Sequence, residues 1–218
     1  MEDFDKLQQQ LDKNAVRLDG ATILALDPSS NCTGYCLASV NFKTKTATIT
    51  KTGVLWFGKD WEHAKKYYYV TKALLEYFYV VEKIDHVVIE RYSINPNKMS
   101  GVLVNPELQG AIKGALHEYE ISVDPIPPQT WRKQLGISKN KTTGDYKGPT
   151  KTYVSSVITG IPSKVKSNIT DKERTTPSDL YDSVAIMLGW LKKLNITVIP
   201  GEIKSINPHL GFPMDVAI

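Results

Sequence analysis

The chain has 218 residues, of which 41% are hydrophobic and 23% are charged, and its formal net charge is +4. Length and composition indicate a single domain that buries a full core without disulfides or structural metal. The two cysteines, Cys32 and Cys36, have no second cysteine pair and no histidine at ligand spacing. This excludes a zinc site and predicts reduced thiols that face the core.

The start of the chain and its hydropathy predict an intracellular protein. The first twenty residues carry five acids and three bases, without the apolar run of a secretory signal, so we expect the mature chain to begin at Met1. No eighteen consecutive residues are apolar, which excludes a membrane-spanning helix and a membrane partner. We expect a cytoplasmic, reducing location, with a cellular or viral source left open. A helical extension is predicted for 1–20, one domain for 21–194, and a tail for 195–218.

Five strands are predicted within this domain. The first is the apolar run Ala21–Leu26, which ends at the turn Asp27-Pro28-Ser29-Ser30. Short polar links between the first three strands favour an antiparallel meander. The other predicted strands are Thr33–Val40, Thr46–Phe57, Ile84–Glu90 and Ile121–Ile126.

Helical periodicity predicts the remaining elements and completes an α/β domain. Asn105-Pro106 and Pro177-Ser178-Asp179 each begin a helix, and shorter helices are predicted at Thr130–Leu135 and Thr150–Ile158. In a long helix over Asp60–Lys83, apolar residues recur at steps of three and four. Its predicted core-facing stripe is Trp61, Ala64, Tyr68, Thr71, Leu75 and Phe78.

Positive charge is concentrated in one segment of the chain. Between Gln129 and Thr175 there are ten lysines and arginines and three acids, so the rest of the chain is slightly acidic. Such a segment indicates contact with a polyanion such as a nucleic-acid backbone, with a solvated loop as the alternative.

Four carboxylates stand at the ends of predicted core elements. Asp27 and Glu90 each end an apolar strand, and Asp179 and Asp182 share one face at the start of the last helix. Taken singly, Asp27 is typical of an Asx-turn and Glu90 of a solvated strand end, while Asp179 and Asp182 are typical of acids that stabilise a helix start. Together they supply the oxygen ligands that Mg²⁺ or Mn²⁺ prefers. Four carboxylates can hold two such ions about 4 Å apart for phosphodiester hydrolysis.

Four sequence blocks contain these carboxylates and much of the basic segment. They are LALDPSSNCTGYCLASV at 24–40, VVIERY at 87–92, VDPIPPQTWRKQLG at 123–136 followed by KTYVSSVI, and DLYDSVAIMLGWL at 179–191. In this order they resemble the RuvC-type Holliday junction resolvases of the RNase H-like superfamily. The first and last blocks are the most specific, since they pair Asp and a downstream Gly-Tyr with Asp-x-x-Asp at a helix start.

The resemblance implies an RNase H-like fold, with a five-stranded mixed sheet flanked by helices. It implies one catalytic centre in which Asp27, Glu90, Asp179 and Asp182 hold two Mg²⁺ ions, with Mn²⁺ as a substitute. It further implies a homodimer that nicks opposed strands of a four-way DNA junction, leaves 5′-phosphate and 3′-hydroxyl ends, and needs no nucleotide cofactor.

Basic residues around the third block are expected to contact the DNA backbone. Family members carry such residues before the last helix, and the insert Ser138–Pro149 adds three lysines that can follow a phosphate backbone. We expect this insert to be disordered without DNA. The predicted contacts are Arg132, Lys133, Lys139, Lys141, Lys147 and Lys151.

The sequence departs from the family pattern at several positions. Ser29 replaces the usual glycine after Asp-Pro, and Ser183 replaces the usual alanine after the last Asp, but both leave the acids intact. The apolar wedge that relatives insert into the junction is not matched after Glu90, where Arg91 and Tyr92 follow. Both are predicted DNA contacts, with Tyr92 stacking on a base or, alternatively, packing in the core.

Other functions stay open at this point. A nuclease acting on flaps or RNA:DNA hybrids would keep the fold and metals, because loops and dimer geometry set the substrate. Actin-like and sugar-kinase ATPases also begin with Asp, a turn and Gly, but they need two domains and a Gly-rich motif, and no G-x-G occurs here. A non-catalytic junction-binding protein is disfavoured because all four acids are retained. A helix carrying Gly110 and Gly114 is a candidate dimer contact.

Overall fold

The computed structural model describes residues 20–58, 60–92, 104–167, 169 and 172–205. In this part of the chain one mixed β-sheet is covered by helices on both faces, which confirms the predicted α/β class. Residues 1–19 of the predicted helical extension and residues 206–218 of the predicted tail lie outside the described residues. None of the helices described is long and apolar enough to cross a bilayer.

Five strands form the body of the sheet: β1 Ala21–Pro28, β2 Cys32–Asn41, β3 Thr46–Trp56, β4 His86–Glu90 and β5 Ser122–Ile126. Their order across the sheet is β5-β4-β1-β2-β3. β1, β2 and β3 pair antiparallel, as the predicted meander requires, while β4 pairs parallel with β1 and with β5. The predicted mixed sheet is therefore confirmed.

Sequence periodicity does not predict four shorter strands. β6 Lys164–Lys166 and β7 Glu173–Thr175 form a hairpin before the last helix. β8 Thr197–Val198 and β9 Lys204–Ser205 pair parallel with β3 and extend the main sheet to seven strands. Strands of two or three residues contain too little alternation to be recognised from sequence.

The described residues contain five α-helices: α1 His63–Lys72, α2 Val104–His117, α3 Pro128–Leu135, α4 Lys147–Val157 and α5 Ser178–Lys193. α1 continues into a π-helical segment, Ala73–Tyr79, which the sequence pattern does not reveal. α1 and α2 cover one face of the sheet, and α3, α4 and α5 cover the other.

Alternation along the strands decides which face each carboxylate joins. In β1, Ile23 and Ala25 pack on the α5 side of the sheet, whereas Leu24 and Leu26 pack on the α1 side. Because successive side chains point to opposite faces, Asp27 falls on the α5 side. The same period in β4 puts Glu90 on that side, two residues after Val88. Both acids therefore face the layer in which α5 begins.

The predicted core stripe of the first long helix is wrong in its first half. Ala64 and Tyr68 are exposed, and the buried face of α1 and its π-helical extension is shifted by one or two residues. Lys66 occupies one of the buried positions, where its Nζ donates to the carbonyl of Ser30 at 3.0 Å. A lysine can bury its aliphatic stem, but in the sequence it counts as a polar residue. It therefore hides the true buried face, and the pattern favours a neighbouring set of apolar residues. The buried residues are Lys66, Tyr69, Val70, Ala73, Leu74 and Phe78.

The insert 138–149, which we expect to be disordered without DNA, contains a hydrogen-bonded turn in the structure. Asn140 closes a turn, since its amide donates to the carbonyl of Asp145 and its carbonyl accepts from the amide of Gly144, both at 2.8 Å. The side-chain oxygen of Asn140 accepts from two further backbone amides. α4 begins at Lys147, three residues before the predicted Thr150, so this lysine lies on a helix.

Candidate active site

Four carboxylates converge at one end of the sheet. β1 and β4 are parallel neighbours in which Leu26 pairs with Ile89, so Asp27 and Glu90 emerge side by side at their carboxyl ends. Asp179 and Asp182 lie in the first turns of α5. The charge of Asp179 acts on each of the other three carboxylates, which places all four within electrostatic reach. The structure thus brings together the acids that the sequence identifies.

Gly34 allows α5 to approach the sheet closely at this point. Asp27 on β1 pairs with Gly34 on β2. A Cβ on Gly34 would lie 2.0 Å from the carbonyl oxygen of Asp179 and 2.8 Å from the amide nitrogen of Leu180. Only glycine leaves room for the first turn of α5 on this strand. The glycine of the first sequence block therefore keeps Asp179 beside Asp27.

The carboxylates share a partly buried crevice of concentrated negative charge. Burial, followed by the charges of Glu90, Asp182 and Asp179, raises the pKa of Asp27 well above its ordinary value. Burial and then the charge of Glu90 raise the pKa of Asp182 to about 7. Burial also raises the pKa of Glu90. The ionised carboxylates repel one another, so a bound cation would be stabilised here.

Arg132 places a positive charge beside this crevice. Against the larger effect of burial, its guanidinium lowers the pKa of three of the four carboxylates. Lys147 acts in the same way on Asp182. The guanidinium of Arg132 lies over the rings of Trp131 and Tyr146, at 4.6 and 4.4 Å from their centroids. Its Nε is buried and has no hydrogen-bond partner in the described part of the chain.

Glu90 and Asp179 each meet a further side chain. The indole Nε1 of Trp131 donates to Oε2 of Glu90 at 2.8 Å. The thiol of Cys32 lies 3.5 Å from Oδ2 of Asp179. Burial, then the charge of Asp179, raises the pKa of this thiol, so it remains protonated and can donate. Cys32 is therefore buried as predicted, but it also contacts a site residue.

Comparison with known proteins identifies the fold. No protein-family model matches the chain, and no curated protein matches its sequence. Among solved structures, Thermus thermophilus RuvC bound to a Holliday junction substrate aligns with a TM-score of 0.54 and 14% identity, over 78% of this chain and 91% of RuvC. The chain has the fold of the RuvC-type Holliday junction resolvases.

Two further structures share this RuvC-type fold. The yeast mitochondrial Holliday junction resolvase aligns with a TM-score of 0.52 and 16% identity, over 86% of this chain and 84% of its own. The Fowlpox virus resolvase, solved with Holliday junction DNA, aligns with a TM-score of 0.51 and 18% identity, over 79% and 98% respectively. At these identities the similarity establishes the fold, which is the RNase H-like fold predicted from the sequence blocks.

The donor set of this crevice fits a hard divalent cation. Its four carboxylates offer the oxygen ligands that Mg²⁺ and Mn²⁺ prefer, and a cation would neutralise the repulsion between them. Within the described ranges, no three acidic, histidine or cysteine side chains are already arranged to ligate a metal. Some of the carboxylate side chains would therefore have to adjust when a cation binds.

The other predicted DNA contacts lie around the crevice at different depths. Arg91 is exposed and Tyr92 half-buried directly after β4. Lys133 and Lys141 are exposed on α3 and on the turn that follows it. Lys139 and Lys151 lie over aromatic rings, those of Tyr146 at 5.6 Å and Tyr181 at 5.3 Å. Of the predicted contacts, Arg132 and Lys147 are prominent among the charges that lower the pKa of the carboxylates.

Sequence reasoning missed several residues that shape the site. Trp131 and Gly34 lie inside the recognised blocks, but residue type alone does not reveal that one bonds Glu90 and the other contacts Asp179. Gln109 donates to the carbonyl of Glu90 from α2, which is remote in sequence. Tyr146 lies within the basic insert, and the alternation of cations with an aromatic residue there is the available signal.

Proposed function

We propose that this chain is a divalent-metal-dependent endodeoxyribonuclease that resolves four-way DNA junctions by paired nicks. The observation that carries the proposal is the convergence of Asp27, Glu90, Asp179 and Asp182 from two strands and a helix. The RuvC-type fold supports it, because the structures that share the fold are named as Holliday junction resolvases.

The four carboxylates and Arg132 have separable tasks in this proposal. Two Mg²⁺ or Mn²⁺ ions held by the carboxylates would supply an activated water and stabilise the leaving oxygen. Asp27 and Glu90 provide ligands from the rigid sheet, while Asp179 and Asp182 provide them from the first turns of α5. Arg132, whose guanidinium lies within electrostatic reach of three of the carboxylates, would donate to a phosphate oxygen of the scissile group.

Basic residues beside the crevice orient the DNA in this proposal. Lys147 lies close enough to Asp182 to lower its pKa, so it would contact a phosphate next to the scissile one. Lys133, Lys139, Lys141 and Lys151 extend the positive surface across α3, the turn and α4. Arg91 and Tyr92 stand at the end of β4, where Tyr92 could stack on a base at the junction.

We also propose that the chain acts as a homodimer, since paired nicks require two active sites. An exposed apolar patch lies where β4 begins, at the opposite end of that strand from Glu90, so a contact there would leave the crevice accessible. Gly110 and Gly114 on α2 are exposed and have space for a close neighbour. The patch consists of Tyr79, Val80, Val81 and Tyr119.

A cleavage assay on a panel of substrates tests the proposal. Four-way junction, flap, RNA:DNA hybrid and linear duplex are each incubated with Mg²⁺ or Mn²⁺. We expect symmetric nicks in the four-way junction, with 5′-phosphate and 3′-hydroxyl ends. Preferred cleavage of flaps or hybrids would favour the alternative nuclease, and tight ATP binding without DNA affinity would favour the actin-like or sugar-kinase ATPase. A monomer on junction DNA in light scattering would contradict paired nicking.

A further inference from the structure

The carboxylate of Glu90 is held by an indole that the proposed chemistry does not use. Nε1 of Trp131 donates to Oε2 of Glu90 at 2.8 Å. Trp131 is fully buried, and a Cβ on Gly189 of α5 would lie only 2.6 Å from the Cβ of Trp131. α3 and α5 are therefore in close contact here, and the indole cannot leave Glu90 without opening that packing.

The backbone on both sides of Glu90 is held as well. The side chain of Gln109, itself buried, donates from Nε2 to the carbonyl of Glu90 at 2.6 Å and accepts the amide of Tyr92 at 3.3 Å. The amide of Arg91 donates to the carbonyl of Ile126 at 2.8 Å. With the main chain and Oε2 both engaged, Oε1 is the Glu90 oxygen most available to a cation.

We infer that Trp131 is a positioning residue that makes Glu90 a one-oxygen ligand and thereby favours Mg²⁺ over Ca²⁺. The inference rests on the proposed function, because it concerns the cation that the four carboxylates would hold. An oxygen that already accepts an N–H is a weaker ligand, so the indole disfavours chelation through both oxygens of Glu90. Ca²⁺ commonly takes about six to eight oxygens and accepts such bidentate carboxylates, whereas Mg²⁺ demands tight octahedral geometry and keeps several waters.

The chain supplies a matched control for the loss of this hydrogen bond. Trp190 also donates its indole N–H to a carboxylate, Oδ2 of Asp124, at 3.0 Å, and it is almost fully buried. Trp190 lies eleven residues after Asp179 on α5, about 16 Å along the helix axis. Trp190→Phe therefore removes the same kind of bond from the fold without touching the crevice.

The test compares the binding of Mg²⁺ and Ca²⁺ to wild type, Trp131→Phe and Trp190→Phe, by isothermal titration calorimetry and by the rise in Tm. We expect Trp131→Phe to weaken Mg²⁺ binding by about tenfold, the scale of losses when a residue orienting a metal ligand is removed. Ca²⁺ binding should weaken less or strengthen, so that the preference for Mg²⁺ falls. Trp190→Phe should keep the wild-type affinities for both ions.

A second measurement uses wild-type protein and holds even where Trp131→Phe fails to fold. In nuclear magnetic resonance spectra, the indole N–H resonance of Trp131 should shift on Mg²⁺ addition, while that of Trp190 stays in place. Unchanged Mg²⁺ and Ca²⁺ affinities in Trp131→Phe, or a Trp131 resonance unmoved at Mg²⁺ saturation, would overturn this inference alone. Wild-type protein that binds neither ion would overturn the proposed function together with it.

Discussion

The backbone carbonyl of Asp179 occupies the space in which a side chain on Gly34 would begin, 2.0 Å from the position of a Cβ. Gly34→Ala should therefore lift the start of α5 from the sheet and destabilise the fold by about 1–3 kcal/mol or more, as overpacking does. It should also separate Asp179 from Asp27 and weaken Mg²⁺ binding. Urea denaturation and calorimetry measure the two effects.

The matched control for this prediction is Gly110→Ala, compared with wild type on monomeric protein because Gly110 is also a proposed dimer contact. Gly110 is exposed in α2, and an added Cβ there would meet nothing within 4 Å. Replacing a helical glycine by alanine should stabilise the protein by up to about 1 kcal/mol. Equal stabilities of Gly34→Ala and wild type would show that α5 does not depend on this contact.

The crevice predicts how stability changes with pH when no metal is bound. Burial and the charge of Glu90 raise the pKa of Asp182 to about 7, and burial and neighbouring acids raise that of Asp27. Because the native state then holds more protons than the unfolded chain, stability should fall as pH rises above about 4, the unfolded value. The loss due to Asp182 should be complete a little above pH 7, and Asp27 adds a loss of the same sign. Urea denaturation with a chelator at pH 5 and pH 8 measures this loss.

Asp182→Asn provides the control for that pH dependence. The variant lacks one of the carboxylates whose pKa is raised, so its loss of stability between pH 5 and pH 8 should be smaller than that of wild type. Saturating Mg²⁺ should likewise reduce the loss in wild type, because a cation favours the ionised carboxylates. An identical pH dependence in Asp182→Asn and wild type would contradict the repulsion within the crevice.

Asp124, a carboxylate outside the crevice, should make stability change with pH in the opposite direction. Burial alone would raise the pKa of Asp124, but His86, whose Nε2 lies 3.3 Å from Oδ2 of Asp124, and the indole of Trp190 lower it. Its contribution to stability should be present above the unfolded pKa of about 3.9 and be lost as pH falls through the lower native value. In urea denaturation, the destabilisation by Asp124→Asn should be clear at pH 7 and shrink towards pH 3. If Asp124→Asn destabilised the protein equally at pH 7 and pH 3, the ionised Asp124 carboxylate would make no contribution to stability.

The basic surface predicts a salt-dependent effect on DNA binding. Lys139→Gln, Lys141→Gln and Lys147→Gln combined should weaken binding to all DNA sequences alike, because phosphate contacts carry no base information. Each lost contact should flatten the slope of log affinity against log salt by about 0.9. Fluorescence anisotropy measures the slope, with the exposed pair Lys113→Gln and Lys192→Gln as control. If the slope changed by the same amount per lysine removed in the triple variant and in the control pair, these three lysines would make no specific contact with DNA phosphates.

The sequence predicts the carboxylate end of the fold well because that end depends on local patterns. Apolar runs followed by Asp27 and Glu90 predict strand ends, and Pro177-Ser178-Asp179 predicts a helix start. Period-2 alternation then places both strand-end acids on the α5 side. β1, β4 and α5 meet because β1 and β4 are neighbours in the sheet. Only the resemblance of the sequence blocks to a known family indicated this arrangement in advance.

Other features depend on contacts that local patterns do not contain. The bonds of Trp131 and Gln109 to Glu90 join residues separated by 41 and 19 positions. From the sequence alone, Lys66 is predicted to be a solvated charge, because its bond to Ser30 is not evident. The core-facing stripe of α1 is therefore predicted on the wrong residues. The turn closed by Asn140 reads as a flexible insert, because glycine and lysine dominate its composition. Tertiary structure decides each of these positions.

The most direct test of the central claim is magnesium-dependent cleavage of a synthetic four-way junction by wild type, Asp27→Asn and Asp179→Asn. Each substitution removes a carboxylate charge and a metal ligand while keeping the side-chain shape. We expect cleavage to fall by more than about a hundredfold, beyond the effect of losing a supporting residue, with junction binding retained. Cleavage at the wild-type rate by either folded variant would contradict the assignment of the four carboxylates as the catalytic centre.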